Sequence, residues 1–267
     1  AHEISLEYSL NGGVSWIADT NISGDTSGIL PGESYSIVWD TDAVFPRNQF
    51  DVRVRLISDD LAISPSSDPF GVIGTTLSKP LVDPVLYSAT ITYDLSGVAG
   101  VDHDISLEYS TDGGTTWIPD TNISGDITGV LPGAGHEIVW DYSAIYTENV
   151  PDVIVRLITE DLAISPPSDP FDIINTEITK PLVDPQLFYV VINYDLLAAP
   201  GVPRDLFLEF SVDGGATWTQ STAISGDVSS VLPGTSLTMT WMTSQVFSGN
   251  EDMVYVRLYS DDGAISP

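Results

Sequence analysis

An internal repeat of 101 residues constrains this sequence more than any other feature. Three series of residues keep this spacing: Trp16, Trp117 and Trp218; Trp39, Trp140 and Trp241; and Arg55, Arg156 and Arg257. A period of this length is too long for a solenoid repeat and is about the size of one β-sandwich domain. The sequence therefore predicts successive copies of one module.

The register of the repeat divides the chain into modules at residues 1–77, 78–178 and 179–267. A Lys-Pro pair stands near the start of a module, at 79–80 and again at 180–181. On that register the first module lacks its N-terminal strands and the third lacks its last strand. We expect one of two reasons: the chain is a window on a longer array, or neighbouring copies exchange strands.

The middle copy shows the strand pattern of one module. Strands are predicted at residues 85–95, 104–110, 116–118, 136–140, 153–159 and 171–174. In the segment 153–159, Val153, Val155 and Leu157 alternate with residues of the opposite face. Turn signals every 8–12 residues and the absence of a helical period predict an all-β chain of tandem antiparallel β-sandwiches. The short linkers, without Gly/Ser tracts, predict stiff joints and an elongated rod.

Charge and composition exclude several classes of function. Asp and Glu number 38 against 8 Lys and Arg, so the formal net charge is −30. This field repels phosphate groups and anionic lipids, so we expect no nucleic-acid partner and no binding to membrane surfaces. The sequence has no run of about 18 apolar residues, so we expect no membrane insertion. The absence of cysteine excludes disulfides and thiolate-bound zinc.

Each module carries a polar motif of the form Ser-x-Asp/Asn-x-Gly-x-Ser/Thr-Trp. Its predicted structural residues are Ser9, Asn11, Gly13 and Trp16; Ser110, Asp112, Gly114 and Trp117; and Ser211, Asp213, Gly215 and Trp218. The Asp or Asn side chain can accept bonds from turn amides, glycine permits positive φ, and tryptophan packs beneath the turn. The motif resembles the Asp-box hairpin, a structural element that lies away from catalysis in sialidase propellers. A propeller would repeat about every 40–50 residues, so the period excludes that fold.

A wider set of strings carries a second resemblance. SLEYSTDGGTTW (106–117), SGDITGVLPG (124–133), IVWD (138–141) and VRLITEDLAIS (155–165) resemble tandem fibronectin type III-like or Ig-like modules of bacterial surface and secreted proteins. The resemblance covers nearly the whole chain. It implies a sandwich fold, a spacer or adhesive role and no catalytic residue.

Acidic clusters offer a candidate metal site. Its predicted ligands are Asp59, Asp60, Asp68, Asp83, Glu160, Asp161, Asp169 and Asp184, all near the ends of modules. Calcium needs six to eight oxygens from converging loops, and a bound ion here would stiffen the joint. The alternative is turn chemistry, because Asp-Pro and Asp-Asp pairs are common turn formers.

Other polar residues indicate structure rather than chemistry. Arg156 and Glu108 occupy matching outward positions on neighbouring strands and predict a cross-strand pair, repeated in all three modules. The histidines, at positions 2, 103 and 136, are interpreted as exposed singletons that do not repeat together and have no ligand spacing. Asn21 and Asn122 stand in glycosylation sequons, whose use the sequence leaves open.

These patterns predict a non-enzymatic structural or adhesive array, the shaft of an extracellular fibre, stalk or surface layer. Its expected partners are neighbouring copies of the same chain or module. The alternative is a carbohydrate-binding or spacer module of a secreted hydrolase, contacting sugar through exposed aromatic side chains. An exposed row of aromatic rings would favour sugar binding, and buried rings would favour the shaft.

Overall fold

The computed structural model describes residues 1–32 and 34–267, and these contain 23 β-strands and one 3₁₀ turn. The first module contributes β1 (Ile4–Ser9), β2 (Ile17–Asp19), β3 (Ile22–Gly24), β4 (Ile37–Trp39), β5 (Gln49–Ser58) and β6 (Phe70–Val72). The second contributes β7 (Thr76–Leu77), β8 (Leu81–Val85), β9 (Ser88–Ser96), β10 (Ile105–Ser110), β11 (Ile118–Asp120), β12 (Ile123–Gly125), β13 (Gly133–Asp141), β14 (Val150–Thr159) and β15 (Phe171–Ile173). The third contributes β16 (Thr176–Ile178), β17 (Leu182–Pro185), β18 (Val190–Ala198), β19 (Leu206–Ser211), β20 (Thr219–Ser221), β21 (Ile224–Gly226), β22 (Gly234–Trp241), the 3₁₀ turn Thr243–Gln245 and β23 (Tyr255–Ser260).

The second module is a sandwich of two antiparallel sheets. One sheet has the order β11-β10-β14-β15, and the other has the order β12-β13-β9-β7 with β8 also paired to β9. The third module repeats this plan, with β20-β19-β23 in one sheet and β16-β18-β22-β21 in the other. The predicted class, tandem antiparallel β-sandwiches, is confirmed.

Each module has its own hydrophobic core. In β14 the side chains of Val153, Val155 and Leu157 are fully buried, as the alternation in the sequence predicts. They pack with Trp140 of the opposite sheet. The core of the third module is built around Trp241. Each fully buried apolar side chain contributes about 1.5–3 kcal/mol, so one such core holds two sheets together without disulfides.

The first module is more open than the other two. Its described strands form the sheet β2-β1-β5-β6 and the pair β3-β4. In the second module β9 covers the core beside β13, and no described residue takes that place beside β4. A groove of about 440 Å³ therefore opens among Leu6, Ile37, Trp39 and Leu56. Trp39 is only partly buried, whereas its counterpart Trp140 is completely buried.

Two strand predictions differ from the structure. Residues 85–95 are not one strand, because the chain turns between β8 and β9 with Tyr87 at a φ of 74°. A non-glycine residue rarely adopts this conformation, so the sequence gives no turn signal there. The partner of β10 starts at Ile118 rather than at 116, because the preceding residues belong to the turn.

Strand pairing also bears on the linkers. Thr76 and Leu77 pair with β9, and β16 pairs with β18, so each linker strand belongs to the sheet of the module that follows it. The module boundaries at 77/78 and 178/179 stay a prediction, and the pairing favours starts two or three residues earlier. No free segment separates one module from the next.

Candidate functional site at the hairpins and the joints

The polar motif of the second module forms a closed turn after β10. Ser110 Oγ donates to Asp112 Oδ1 at 2.8 Å, and Asp112 Oδ1 also accepts from the Thr116 amide at 2.9 Å. The Gly114 amide donates to Ser110 Oγ, and Gly114 lies at a φ of 88°, where a Cβ is strained. Hydrogen bonds from the Thr116 amide and hydroxyl hold the pKa of Asp112 at about 2. The carboxylate is fully used by the turn.

The same turn recurs in the other two modules. Asp213 Oδ1 accepts from the Thr217 amide at 2.9 Å, and the hydroxyl of Thr217 is the first cause that lowers the pKa of Asp213 to about 2. In the first module the amide of Asn11 replaces the carboxylate, and its Oδ1 accepts from the Ser15 amide at 2.9 Å. Gly13 and Gly215 both lie at a φ of 91°.

Below each hairpin, an arginine lies over the tryptophan of the motif. The Arg156 guanidinium lies 4.3 Å from the centroid of Trp117, and Glu108 Oε2 accepts from its Nε at 2.8 Å. Arg55 over Trp16 and Arg257 over Trp218 repeat the stack at 4.4 Å. The predicted Arg–Glu pairs are confirmed, since Glu7, Glu108 and Glu209 each lie opposite their arginine in register.

Only half of the predicted metal ligands come together. Asp59 and Asp60 lie beside His2, and Glu160 and Asp161 lie beside His103. The other four lie apart from these two clusters: Asp68, Asp83, Asp169 and Asp184. Asp169 instead accepts from Lys79 Nζ at 2.6 Å, and Asp83 lies exposed on β8. Each cluster thus contains an imidazole, a ligand that the sequence interpretation did not include.

The second cluster lies at the joint between the first two modules. Asn48, in the loop before β5, accepts from the amides of Gly74 and Thr75 through Oδ1, at 2.9 and 3.0 Å. The backbone amide of Asn48 donates to Asp161 Oδ2 at 2.7 Å. Burial raises the pKa of Asp161, but hydrogen bonds from the Thr159 hydroxyl and the Asn48 amide outweigh it and leave that pKa below its ordinary value.

Arg47 adds charge to this joint. Its guanidinium contacts Glu160 and donates to the Asp102 carbonyl oxygen at 2.6 Å. Arg47 belongs to the first module, and both acceptors belong to the second. These polar contacts join the first two modules directly.

The joint between the second and third modules is built on the same plan. Asn149 Oδ1 accepts from the amides of Asn175 and Thr176 at 2.7 and 2.9 Å. Thr176 Oγ1 donates to Asp262 Oδ2 at 2.5 Å, and the buried Arg204 pairs with the same oxygen at 3.1 Å. Arg204 also donates to the carbonyl oxygen of Thr147 in the second module.

The joint residues carry a repeat signal that the sequence interpretation missed. Asn48, Asn149 and Asn250 lie 101 residues apart. His2 and His103 are also 101 apart, and Arg204 follows at the same step. The interpretation of His2 and His103 as singletons that do not repeat is therefore wrong, and His103 is buried rather than exposed. His2, His103 and Arg204 form the same antiparallel backbone bridge in their modules. Their partners are Ile29, Val130 and Val231, respectively.

Comparison with known proteins adds little to this picture. No family model and no curated protein matches the chain. Among solved structures, the chain is similar to the crystal structure of the FN1–FN3 domains of chicken CNTN1, with 11% identity and a TM-score of 0.24. The match covers 99% of this chain and 86% of that one. The class of the protein, a tandem β-sandwich repeat, rests on its own strands and sheets.

The regular secondary structure of the described residues is β-strand, apart from one short 3₁₀ turn. Within residues 1–32 and 34–267 there is no helix long and apolar enough to cross a membrane.

Proposed function

We propose that this chain is a non-enzymatic structural or adhesive array, the shaft of an extracellular fibre, stalk or surface layer. The observation that carries the proposal is the repetition of the joint. Asn48 and Asn149, one period apart, each accept two backbone amides of the linker that follows. An interface copied with its polar contacts favours a fixed relation between modules over free movement.

The repeated side chains support a structural role over a catalytic one. The hydroxyl and carboxylate groups of the hairpins bond to one another and to turn amides, so these repeated polar groups stabilise the turns. The surface charge and the resemblance of the sequence strings to modules of surface and secreted proteins support an extracellular place. The expected partners are further copies of the same module.

The aromatic side chains argue against the carbohydrate-binding alternative. Trp140 and Trp241 are buried in the cores. Trp16, Trp117 and Trp218 are partly exposed, but a guanidinium covers each ring, so it cannot offer that face to a sugar. Two other exposed aromatic side chains do not recur at the repeat spacing: Phe50 corresponds to Pro151, and Tyr255 corresponds to the buried Ile154.

Small-angle X-ray scattering on the whole chain tests the proposal. We expect the wild type to scatter as one elongated particle, and the double variant N48A/N149A to require an ensemble of bent conformations. The variant N21A/N122A is the matched control, because each of these asparagine side chains bonds within its own module, to Asp19 or Asp120. A wild-type chain that already needs a broad ensemble would contradict a shaft.

A further inference from the structure

His103 is a buried side chain that the joint does not explain. Its ring is 1% exposed, and neither Nδ1 nor Nε2 has a hydrogen-bond partner. Its position is not accidental, because its backbone amide and carbonyl both bond to Val130. Buried polar groups nearly always have a partner, so an unpaired imidazole indicates that something is bound to it.

The groups that face His103 Nδ1 are carboxylates. Glu160 Oε1 lies 3.5 Å away and Asp161 Oδ1 lies 3.9 Å away. Both distances exceed the hydrogen-bond range of about 2.7–3.2 Å. They come close to the spacing of about 3.4 Å between two ligands of a tetrahedral metal ion, each about 2.1 Å from the metal. One ligand atom from each of the three residues lies within 4.8 Å of the others.

The third module shows what this position requires. Arg204 replaces His103 one period later, and it is buried against Asp262, the counterpart of Asp161. The guanidinium has partners on both sides of its joint, Thr176 and Thr147. A permanent cation therefore stands beside the carboxylate in the second joint, at the place that an imidazole holds in the first.

The groups around the His103 imidazole are mostly acidic. The carboxylates of Asp102, Glu160 and Asp161 stand against the guanidinium of Arg47. An imidazole beside two carboxylates is a donor set for a transition metal ion, whereas calcium prefers six to eight oxygens.

We propose that the first joint binds one divalent transition metal ion of the zinc class through His103 Nδ1, Glu160 and Asp161. Three protein ligands leave a fourth position to solvent. Asp161 Oδ2 accepts from the Asn48 backbone amide, so the ion fixes a carboxylate that holds the first module. Glu160 Oε1, the oxygen that faces His103, is also the oxygen that Arg47 contacts, so the ion and the guanidinium compete for it. This inference does not depend on the role of the array as a shaft.

The related cluster in the first module is a weaker candidate. His2 Nδ1 lies 3.0 Å from Asp59 Oδ1, which is a hydrogen bond, and 4.0 Å from Asp60 Oδ2. All three residues are at least partly exposed. We therefore assign one site to the described chain rather than two.

Calorimetric titration of the whole chain, without a histidine tag, with zinc in excess calcium tests the proposal. The calcium occupies the exposed carboxylates and leaves a site that contains nitrogen. We expect one equivalent of zinc to bind, and cobalt to give the visible absorption of a tetrahedral site. H103A weakens zinc binding by at least about tenfold. H103R, which carries the residue of the third module, also abolishes binding but preserves the melting temperature of the metal-free chain.

The controls separate this site from the other histidines. H2A and H136A retain the full equivalent of zinc, and R47Q binds zinc more tightly because a competing cation is removed. The proposal is overturned if the wild type binds no zinc in excess calcium, or if H103A and H103R, folded as judged by their melting curves, bind as much as the wild type.

Discussion

At the level of single residues, one side chain organises each hairpin. Asp112 and Asp213 accept bonds from the amide and hydroxyl four residues on, and each of these bonds favours the charged carboxylate. Asn11 performs the same role through its amide oxygen without any charge. The three hairpins therefore share a structure but differ in their response to acid.

The first prediction concerns that response. The folded pKa of Asp112 and Asp213 is about 2, below the ordinary value of about 3.9. The charged hairpins thus contribute stability that is complete above pH 4 and is lost as pH falls towards 2. NMR titration of the Asp side-chain carbons checks this, with the Asn11 hairpin as an internal control. A midpoint near 3.9 for Asp112 would show that the turn bonds are absent in solution.

The stack of Arg156 on Trp117 gives the second prediction. R156A removes the cation–π contact and the pair with Glu108, both partly exposed to solvent, so we expect a loss of about 1 kcal/mol in the second module. R156K keeps the positive charge but lacks the planar guanidinium, so we expect it to recover only part of the lost stability. Chemical denaturation measures the effect, and K180A is the matched control for lost charge. If R156A is as stable as the wild type, the stack and the ion pair do not stabilise the second module.

A third prediction rests on a natural difference between modules. The Trp140 indole donates to Asp120 Oδ2 at 2.6 Å, and Asp120 Oδ1 accepts from Asn122. In the third module Ser221 accepts from Trp241 at 2.9 Å, and Ala223 replaces the asparagine. D120A leaves the buried indole of Trp140 without a hydrogen-bond partner, so we expect the free energy of unfolding to fall by about 1–3 kcal/mol.

The double variant D120S/N122A transplants the arrangement of the third module and should retain most of the stability that D120A loses. Thermal unfolding of the three chains measures the difference. If D120S/N122A is as unstable as D120A, the serine of the third module does not replace the aspartate. The same contacts give Asn122 a structural role that does not require a glycan.

At the level of elements, the joints depend on one asparagine each. N149A removes the acceptor of the Asn175 and Thr176 amides, and each amide then loses about 1–3 kcal/mol of protection. Hydrogen exchange should therefore be at least about fivefold faster at both amides, with N122A as control. Unchanged exchange at Asn175 and Thr176 would show that the asparagine does not hold the linker.

The sequence predicts the elements better than it predicts the joints. Alternation places Val153, Val155 and Leu157 in the core, and matching positions pair Arg156 with Glu108, because both depend on strand periodicity alone. The turn at Tyr87 has no sequence signal, since its positive φ falls on a residue type that seldom adopts it. The joint arises where residue 48 of the first module meets residue 161 of the second, and no pattern within one module shows that contact.

At the level of the whole molecule, the account depends on whether the modules keep a fixed relation. Two joints with the same asparagine clamp, and with Arg47 in one and Arg204 in the other as the cation, link three separate cores. Their charges come from opposite sides, since Arg47 belongs to the first module and Arg204 to the third. Each joint therefore contains an arginine beside a carboxylate, although the arginine comes from a different position in the module.

The most direct test is ¹⁵N relaxation of backbone amides in the second and third modules of the intact chain. We predict that both modules tumble with one common anisotropic diffusion tensor, and that N149A separates them into two. Independent tumbling of the two modules in the wild type would contradict the account, because the joint would then not keep them in a fixed relative orientation.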